Sequence, residues 1–313
     1  MSNRRLIVIT GPTATGKTAL GATLAKMLDG EVVSADSMQI YKHMDIGTAK
    51  PTEAEKKGVR HHMLDVVEPW EDYSVARYVT DAAKCVDDVL SRGKLPLLVG
   101  GAGLYIDSLI SGRGFSDRGD SKLRQELEKE YESLGGDEML RRLGGLDPDS
   151  AARLHANDKK RIVRALEVCL TTGETISKHD LETKSLPSRY DAVKFALTFQ
   201  DRERLYARID RRVDAMLESG LADEVRDLLD MGVRSGNTAM QAIGYKEITG
   251  ALLGECGMAD AVGRIKQESR RYAKRQLTWL RRDVNTNWIT WEKEPDIGRA
   301  MQLITTELQN ETN

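Results

Sequence analysis

Eight residues close to the N-terminus, Gly11-Pro12-Thr13-Ala14-Thr15-Gly16-Lys17-Thr18, constrain this chain more than any other feature. They fit the pattern of a phosphate-binding loop: Gly, four residues, then Gly-Lys-Thr. Leu6-Ile7-Val8-Ile9 before them reads as a short buried strand, and Thr18 to Ala25 reads as the start of a helix. A strand, a loop and a helix in that order turn backbone N–H groups and the positive helix end toward a polyphosphate. Lys17 adds a point charge. The Thr18 hydroxyl is placed to bind Mg²⁺. The loop predicts that phosphates bind; it does not say whose.

The next hundred residues predict the fold class. Glu31-Val32-Val33-Ser34-Ala35-Asp36 is an apolar strand ending in a carboxylate, Tyr78 to Leu90 has helical periodicity, and Leu95 to Val99 is a third strand closed by Gly100-Gly101. Strands alternating with helices predict an α/β fold: a P-loop NTPase-like parallel sheet core flanked by helices. Ligands in such sheets bind at the carboxyl ends of the strands, so the loop, Asp36 and Gly100-Gly101 are expected at one edge. Near Ser116 the pattern changes to short helices. One has the apolar stripe Leu123, Leu127, Tyr131, Leu134; another starts at Asp147-Pro148; a third, after Asn157-Asp158, carries Ile162, Leu166, Cys169 and Leu170 and ends at Gly173. Then Ala192 to Leu197 returns as a strand, and long helices are expected over Arg202–Met231 and Ala259–Arg282. The expected organisation is therefore a core (1–115), an inserted all-helical domain (116–187) and a second core part (188–313).

Composition narrows the class. With 313 residues, 31% charged and a net charge of −2, the chain is expected to be a soluble globular protein. No apolar run has the length of a membrane span. The first strand starts too early for a signal or transit peptide. Cys85, Cys169 and Cys256 are far apart and form no CxxC, which fits a reducing cytoplasm and argues against a disulfide framework or zinc finger.

Several groups of residues then compete for chemistry. Asp36, among the polar Ser37, Gln39 and Tyr41, reads either as a metal-coordinating or capping Asp or as a general base beside the phosphates. The strand ending in Gly100-Gly101 lacks the terminal Asp that supports Mg²⁺ in hydrolytic ATPases; Leu64-Asp65 is a short possible substitute, so efficient NTP hydrolysis is not expected. Between Arg264 and Arg282 lie eight basic residues and one opposing acid, Glu268. That excess reads as a solvated face or as a stripe, including Arg271 and Arg275, that tracks a phosphate backbone. Lys159, Lys160, Arg161 and Arg164 form a second basic cluster. His61-His62 points its two rings in different directions and has no third ligand at metal spacing, so a hydrogen-bonding role is expected.

Taken together, several segments carry a resemblance. GPTATGKT (11–18), ADSMQIYKHMDIGTAKP (35–51), HHMLDVVEP (61–69), GGAGLY (100–105), NDKKRIVRALEV (157–168), RERLYARIDRRVDAMLESGL (202–221), QAIGYKE (241–247) and YAKRQLTWLR (272–281) resemble, in order, the tRNA dimethylallyltransferases (tRNA isopentenyltransferases) of the bacterial kind. The resemblance covers nearly the whole chain, and ordinary nucleotide kinases lack the 35–51 segment. It implies transfer of a dimethylallyl group from its diphosphate to N6 of the adenine 3′ of the anticodon, at position 37. It implies that residues 11–18 hold the donor diphosphate with Mg²⁺, that Asp36 is the base, and that Lys17 and Arg208 assist, Arg208 by clamping the diphosphate. It implies tRNA contacts from Asp36, Ser37, Met38, Gln39, Arg124, Lys160, Arg161, Ile162, Val163 and Arg164, and at the Ala102 position. The family has Thr where this chain has Ala102, so a hydroxyl contact there does not carry over. Gln39 has the amide that would read an adenine edge. The inserted domain would grip the anticodon stem, and the enzyme is expected to be a cytoplasmic monomer, unattached to membrane. The alternatives are a small-molecule or nucleotide kinase, which leaves the 35–51 segment and the basic helix unexplained, and a non-catalytic tRNA-binding switch.

Overall fold

The computed structural model describes residues 4–112, 121–178, 181 and 187–310. A six-stranded sheet runs in the order β3-β2-β4-β1-β5-β6, and every pairing is parallel. The strands are β1 Arg5–Thr10, β2 Gly30–Ala35, β3 His61–His62, β4 Leu95–Gly100, β5 Asp191–Phe199 and β6 Asn287–Trp291. β1 and β2 are buried nearly throughout, around the apolar runs Leu6-Ile7-Val8-Ile9 and Val32-Val33, as strands covered by helices on both faces are. The chain leaves β1 toward one side, for β2, and after β4 returns past β1 to β5. That reversal opens a crevice beyond the carboxyl ends of the strands.

The helix Lys17–Met27 comes directly after the loop. Its Leu20, Leu24 and Ala25 pack on Ile7, Ile9, Val32 and Val99, all in one core. Each such leucine contributes roughly 1.5–3 kcal/mol by burial, so the helix that carries Lys17 and Thr18 is firmly seated. On the far side, the helix Val75–Ser91 opens with Ser74 accepting the Arg77 N–H and buries Tyr78, Val79, Ala82 and Val86.

Two strands have no counterpart in the sequence pattern. β3 is only two residues long. β6 alternates in period two, with Ile289 and Trp291 buried and Trp288 and Thr290 outward. The expected helix over 202–231 breaks at Ser219-Gly220 into Arg202–Glu218 and Leu221–Asp230, because Gly220 takes φ 97°, a left-handed conformation that ends a helix.

The chain divides into two compact units, Met1–Ile110 with Arg189–Asn313, and Ser111–Ser188. The expected lower boundary, at 115–116, falls outside the described residues. The second unit is helical, over Ser121–Leu134, Gly136–Leu146, Pro148–Arg153 and Lys159–Thr172. Asp147 caps the third of these, accepting the Ser150 N–H at 3.0 Å, and Pro148 sits in its first turn. Leu127, Met139, Leu143, Ile162 and Leu166 form this unit's core. Leu134 and Leu170, expected on its apolar stripes, are exposed.

Candidate active site

The phosphate loop is set by its own side chains and by three distant ones. Gly11 has φ 137°, and a Cβ there would meet the Leu197 carbonyl at 2.4 Å, so only glycine fits. The Thr15 hydroxyl, fully buried, donates to the Pro12 carbonyl at 2.8 Å, and the Lys17 ammonium donates to the same oxygen at 2.7 Å. Gln276 accepts from the Thr13 N–H at 3.1 Å, Arg208 Nε donates to the Ala14 carbonyl at 3.1 Å, and Trp291 Nε1 donates to the Thr15 carbonyl at 3.0 Å.

In front of the loop lies a cavity of about 360 Å³. Thr13, Lys17 and Thr18 line it from the loop side; Asp36, Ser37, Met38 and Gln39 from the end of β2; Gly100 and Gly101 from the end of β4. The sequence-based expectation that these three segments share an edge holds. The helix Arg202–Glu218 adds Ile209, Arg212, Val213 and Met216, and the helix Met258–Leu280 adds Ile265, Ser269, Tyr272, Arg275 and Gln276. The site is thus polar at the loop and Asp36, and apolar along Val32, Val99, Ile209, Val213 and Ile265.

The cavity concentrates positive charge. Burial, and then the charge of Arg212, pull the Lys17 ammonium down to about 7 against the raising effect of Asp36. Burial likewise lowers Arg212, with Asp36 and Glu55 opposing. Burial raises the Tyr272 phenol far above its ordinary value, and Asp36 raises it further. Two cations and a carboxylate around one space suit a polyanion and a proton acceptor.

Several expected contacts are placed otherwise. Arg208 does not line the cavity: its guanidinium is held by the Ala14 carbonyl and by Glu294. Arg212, one helical turn on, faces inward instead. The Gln39 amide is committed inside the chain: Nε2 donates to the Thr48 and Ala49 carbonyls at 3.3 and 3.2 Å, and Oε1 accepts from Ser34 at 3.1 Å. It lines the cavity but is not offered to a base edge. Ala102 does not line the cavity; its N–H donates to the Ala35 carbonyl at 3.1 Å. Asp65 pairs with Lys50 at 2.5 Å, so it is no substitute for a strand-end metal carboxylate. His62 pairs with Glu31 at 2.7 Å and His61 bonds the Val59 carbonyl at 2.9 Å, the hydrogen-bonding role expected.

The two basic clusters also sort differently. Within Lys159–Thr172, Ile162 and Val163 are core residues, so their side chains cannot meet RNA. Arg124 and Arg164 both pair at 3.0 Å with Glu167, which is 0% exposed. Only Lys160 and Arg161 of the cluster are exposed. On Met258–Leu280, Arg270 pairs with Asp210 and Lys266 with Asp214, both on Arg202–Glu218, while Arg271 pairs with Glu268. The apparent excess charge is partly met by the neighbouring helix. Arg275 is exposed, stacks over the Tyr272 ring at 5.6 Å and lines the cavity.

Sequence alone does not single out Arg212, Tyr272, Gln276 or Trp291 as site residues. Arg212 has a signal, since it repeats Arg208 at i+4. The other three act on the loop or cavity from distant parts of the chain, beyond any local pattern. Among the described residues no group of three or more His, Cys, Asp or Glu gathers as a metal site.

Comparison with known proteins agrees with this geometry. The family model described as IPP transferase matches residues 39–283, and that described as isopentenyl transferase matches residues 4–71. A tRNA dimethylallyltransferase of Acetivibrio thermocellus is 49% identical over 285 residues, 91% of each chain. One of Oceanobacillus iheyensis is 47% identical over 293 residues, covering 93% of this chain and 92% of its own. The crystal structure of a tRNA isopentenylpyrophosphate transferase from Bacillus halodurans superposes with a TM-score of 0.73 at 41% identity, covering 99% of this chain and 98% of that one. A eukaryotic dimethylallyltransferase acting on tRNA gives a TM-score of 0.83 at 31% identity, over 98% of this chain and 80% of that one. The phosphate loop, the Asp36 turn and the Arg212 helix all lie within these matches, and the chain belongs to the IPP transferase family, that of the tRNA dimethylallyltransferases.

Proposed function

We propose that this enzyme transfers a dimethylallyl group from dimethylallyl diphosphate to N6 of the adenine 3′ of the anticodon, position 37 of tRNA, and releases diphosphate. The observation that carries the reading is that one cavity holds the phosphate loop, Asp36 and an apolar wall together. The family supports the prenyl transfer; a kinase is not favoured, since relatives covering nearly the whole chain are named as tRNA dimethylallyltransferases.

The chemistry can be derived from the residues. The adenine N6 attacks the allylic carbon, the carbon–oxygen bond breaks, and its electron pair leaves with the diphosphate. Loop N–H groups, Lys17 and Arg212 stabilise that charge where it develops. Asp36 accepts the proton released from N6. Its Oδ1 also accepts the Met38 N–H at 2.8 Å, which fixes the carboxylate at the cavity wall. The apolar residues Val32, Val99, Ile209 and Val213 exclude water from a reactive allylic carbon. The Thr18 hydroxyl lines the cavity beside the loop, and one protein oxygen plus diphosphate oxygens is a donor set that suits Mg²⁺. When bound, Mg²⁺ would neutralise charge on the departing diphosphate. A base stacked in an anticodon loop must be turned out to reach this site. Lys160 and Arg161, both exposed on the helical unit, would meet the tRNA backbone.

The enzyme acts, on this reading, as a cytoplasmic monomer. Among the described residues no helix is long and apolar enough to cross a membrane. The test is mass spectrometry of nucleosides from tRNA incubated with the protein, Mg²⁺ and dimethylallyl diphosphate, without ATP. Prenylated adenosine is expected. Its absence, or a strict need for ATP, overturns the reading.

A further inference from the structure

Glu224 does not line the cavity, yet one wall of the cavity hangs from its carboxylate. It lies on the helix Leu221–Asp230. Its Oε2 accepts the N–H groups of Asp45 at 2.8 Å and Ile46 at 2.7 Å; its Oε1 accepts the N–H of Gly47 at 3.1 Å and the hydroxyl of Tyr245 at 2.6 Å. Three successive backbone N–H groups turned to one side form an anion-binding nest, here filled from within the chain. Gly47 is pressed so close to Tyr245 that a Cβ would lie 2.4 Å from its ring. The segment therefore cannot slide along the carboxylate.

The next two carbonyls, of Thr48 and Ala49, receive the Gln39 amide. Gln39 also gives its backbone N–H, at 3.4 Å, to Asp36 Oδ1, the oxygen that takes the Met38 N–H. Residues 36–39 belong to no helix or strand, so side-chain contacts must hold their shape. A continuous polar path thus runs from Glu224 through residues 45–49 and Gln39 to Asp36.

We propose that Glu224 is a positioning residue for the transfer: by holding residues 45–47 it sets, through Gln39, the turn that aims the Asp36 carboxylate. The inference rests on the reading of Asp36 as the base. Glu224→Gln keeps the volume but turns an NH₂ group toward backbone N–H groups, so the segment must shift.

The experiment is single-turnover transfer to tRNA with dimethylallyl diphosphate in the parent, Glu224→Gln, Asp36→Asn and the double variant, with donor titration of each. Glu224→Gln is expected to slow the chemical step roughly 10- to 100-fold, the scale of a misplaced reacting group. Donor affinity should move by less than about twofold, because the loop is untouched. In the Asp36→Asn background the same change should cost less than about threefold, since there is no base left to aim. Equal losses in both backgrounds, or a loss of donor affinity matching the loss of rate, would overturn the proposal in favour of a purely structural role. A slowed Asp36→Asn with additive losses removes only this inference, whereas an unchanged Asp36→Asn removes the base reading and this inference with it. Should Glu224→Gln fail to fold, Tyr245→Phe, which deletes one hydrogen bond to the same carboxylate, goes through the same cycle. A several-fold loss confined to the Asp36 background is then expected, and additivity or no loss overturns the proposal.

Discussion

The side-chain oxygen of Gln276 accepts the backbone N–H of Thr13 at 3.1 Å. Its amide nitrogen donates to the Gly101 carbonyl at 2.9 Å. One buried amide therefore ties the phosphate loop to the end of β4, its oxygen serving one end and its NH₂ the other. Gln276→Glu keeps the acceptor, loses the donor and adds a negative charge to the wall of the cavity proposed to take the diphosphate. The dissociation constant for dimethylallyl diphosphate should rise at least about tenfold, ~1.4 kcal/mol. Calorimetric titration checks this; an unchanged constant would show that the bridge does not bear on the donor.

Lys17 should make donor binding depend on pH. Its ammonium is held down to about 7 by burial and by Arg212, while a bound diphosphate favours the charged form. Binding should therefore take up a proton above pH 7, and donor affinity should fall as the pH rises beyond it. Titration at pH 8 in two buffers of different ionisation enthalpy measures the uptake directly. In the donor-free protein the sign is opposite in effect: between about 7 and the ordinary lysine value the unfolded chain binds the extra proton, so stability rises with pH. Lys17→Met should abolish the proton uptake. Proton uptake persisting in that variant assigns it to another group.

The basic residues of the helical unit should separate into two classes. Lys160→Ala with Arg161→Ala should weaken tRNA binding and lower the slope of log affinity against log salt by about 0.9 per lost phosphate contact, with the melting temperature unmoved. Arg124→Ala leaves the buried Glu167 with Arg164 alone, and should cost about 1–3 kcal/mol of stability. Filter binding across a salt series, beside thermal melts, distinguishes them. A salt slope unchanged in the first variant would mean that those two residues are merely solvated.

A third ion cluster should contribute to acid sensitivity. Glu31 is nearly buried at the opposite end of β2, and Arg92, at 2.5 and 2.7 Å, holds its carboxyl down to about 2 against burial, with help from His62. The folded value lies below the unfolded one, so this pairing is at full strength above about pH 4.5 and is lost as the pH falls toward 2. Urea midpoints should drop across that window. Glu31→Gln should flatten the drop while lowering stability at neutral pH.

The features legible in the sequence are local. The loop, the carboxylate after β2 and the glycines after β4 are each set within a few residues, and strand alternation with helices places them on one edge. Pairing across the chain is not legible. Lys266 and Arg270 look like surplus charge until Asp214 and Asp210 come to face them from another helix. Arg208 and Arg212 are indistinguishable along one helix, and only packing decides that the second reaches the cavity. Gln39 has the right chemistry for reading adenine, but the carbonyls of Thr48 and Ala49 already hold its amide. Ile162 and Val163 sit inside a basic run, yet helical geometry turns them into the core.

The anchoring of the phosphate loop has a consequence for a chain still being made. The loop is made before the distant residues that set it: Arg208, Gln276 and finally Trp291, 276 positions after Thr15. Until that last strand is added, the nascent loop lacks one of its distant anchors and relies more on its internal bonds, from Thr15 and Lys17 to the Pro12 carbonyl. A molecule stopped short of β6 would possess every loop residue and lack the Trp291 bond that holds the Thr15 carbonyl. The finished grip on a reactive allylic ester thus waits for β6 to be made.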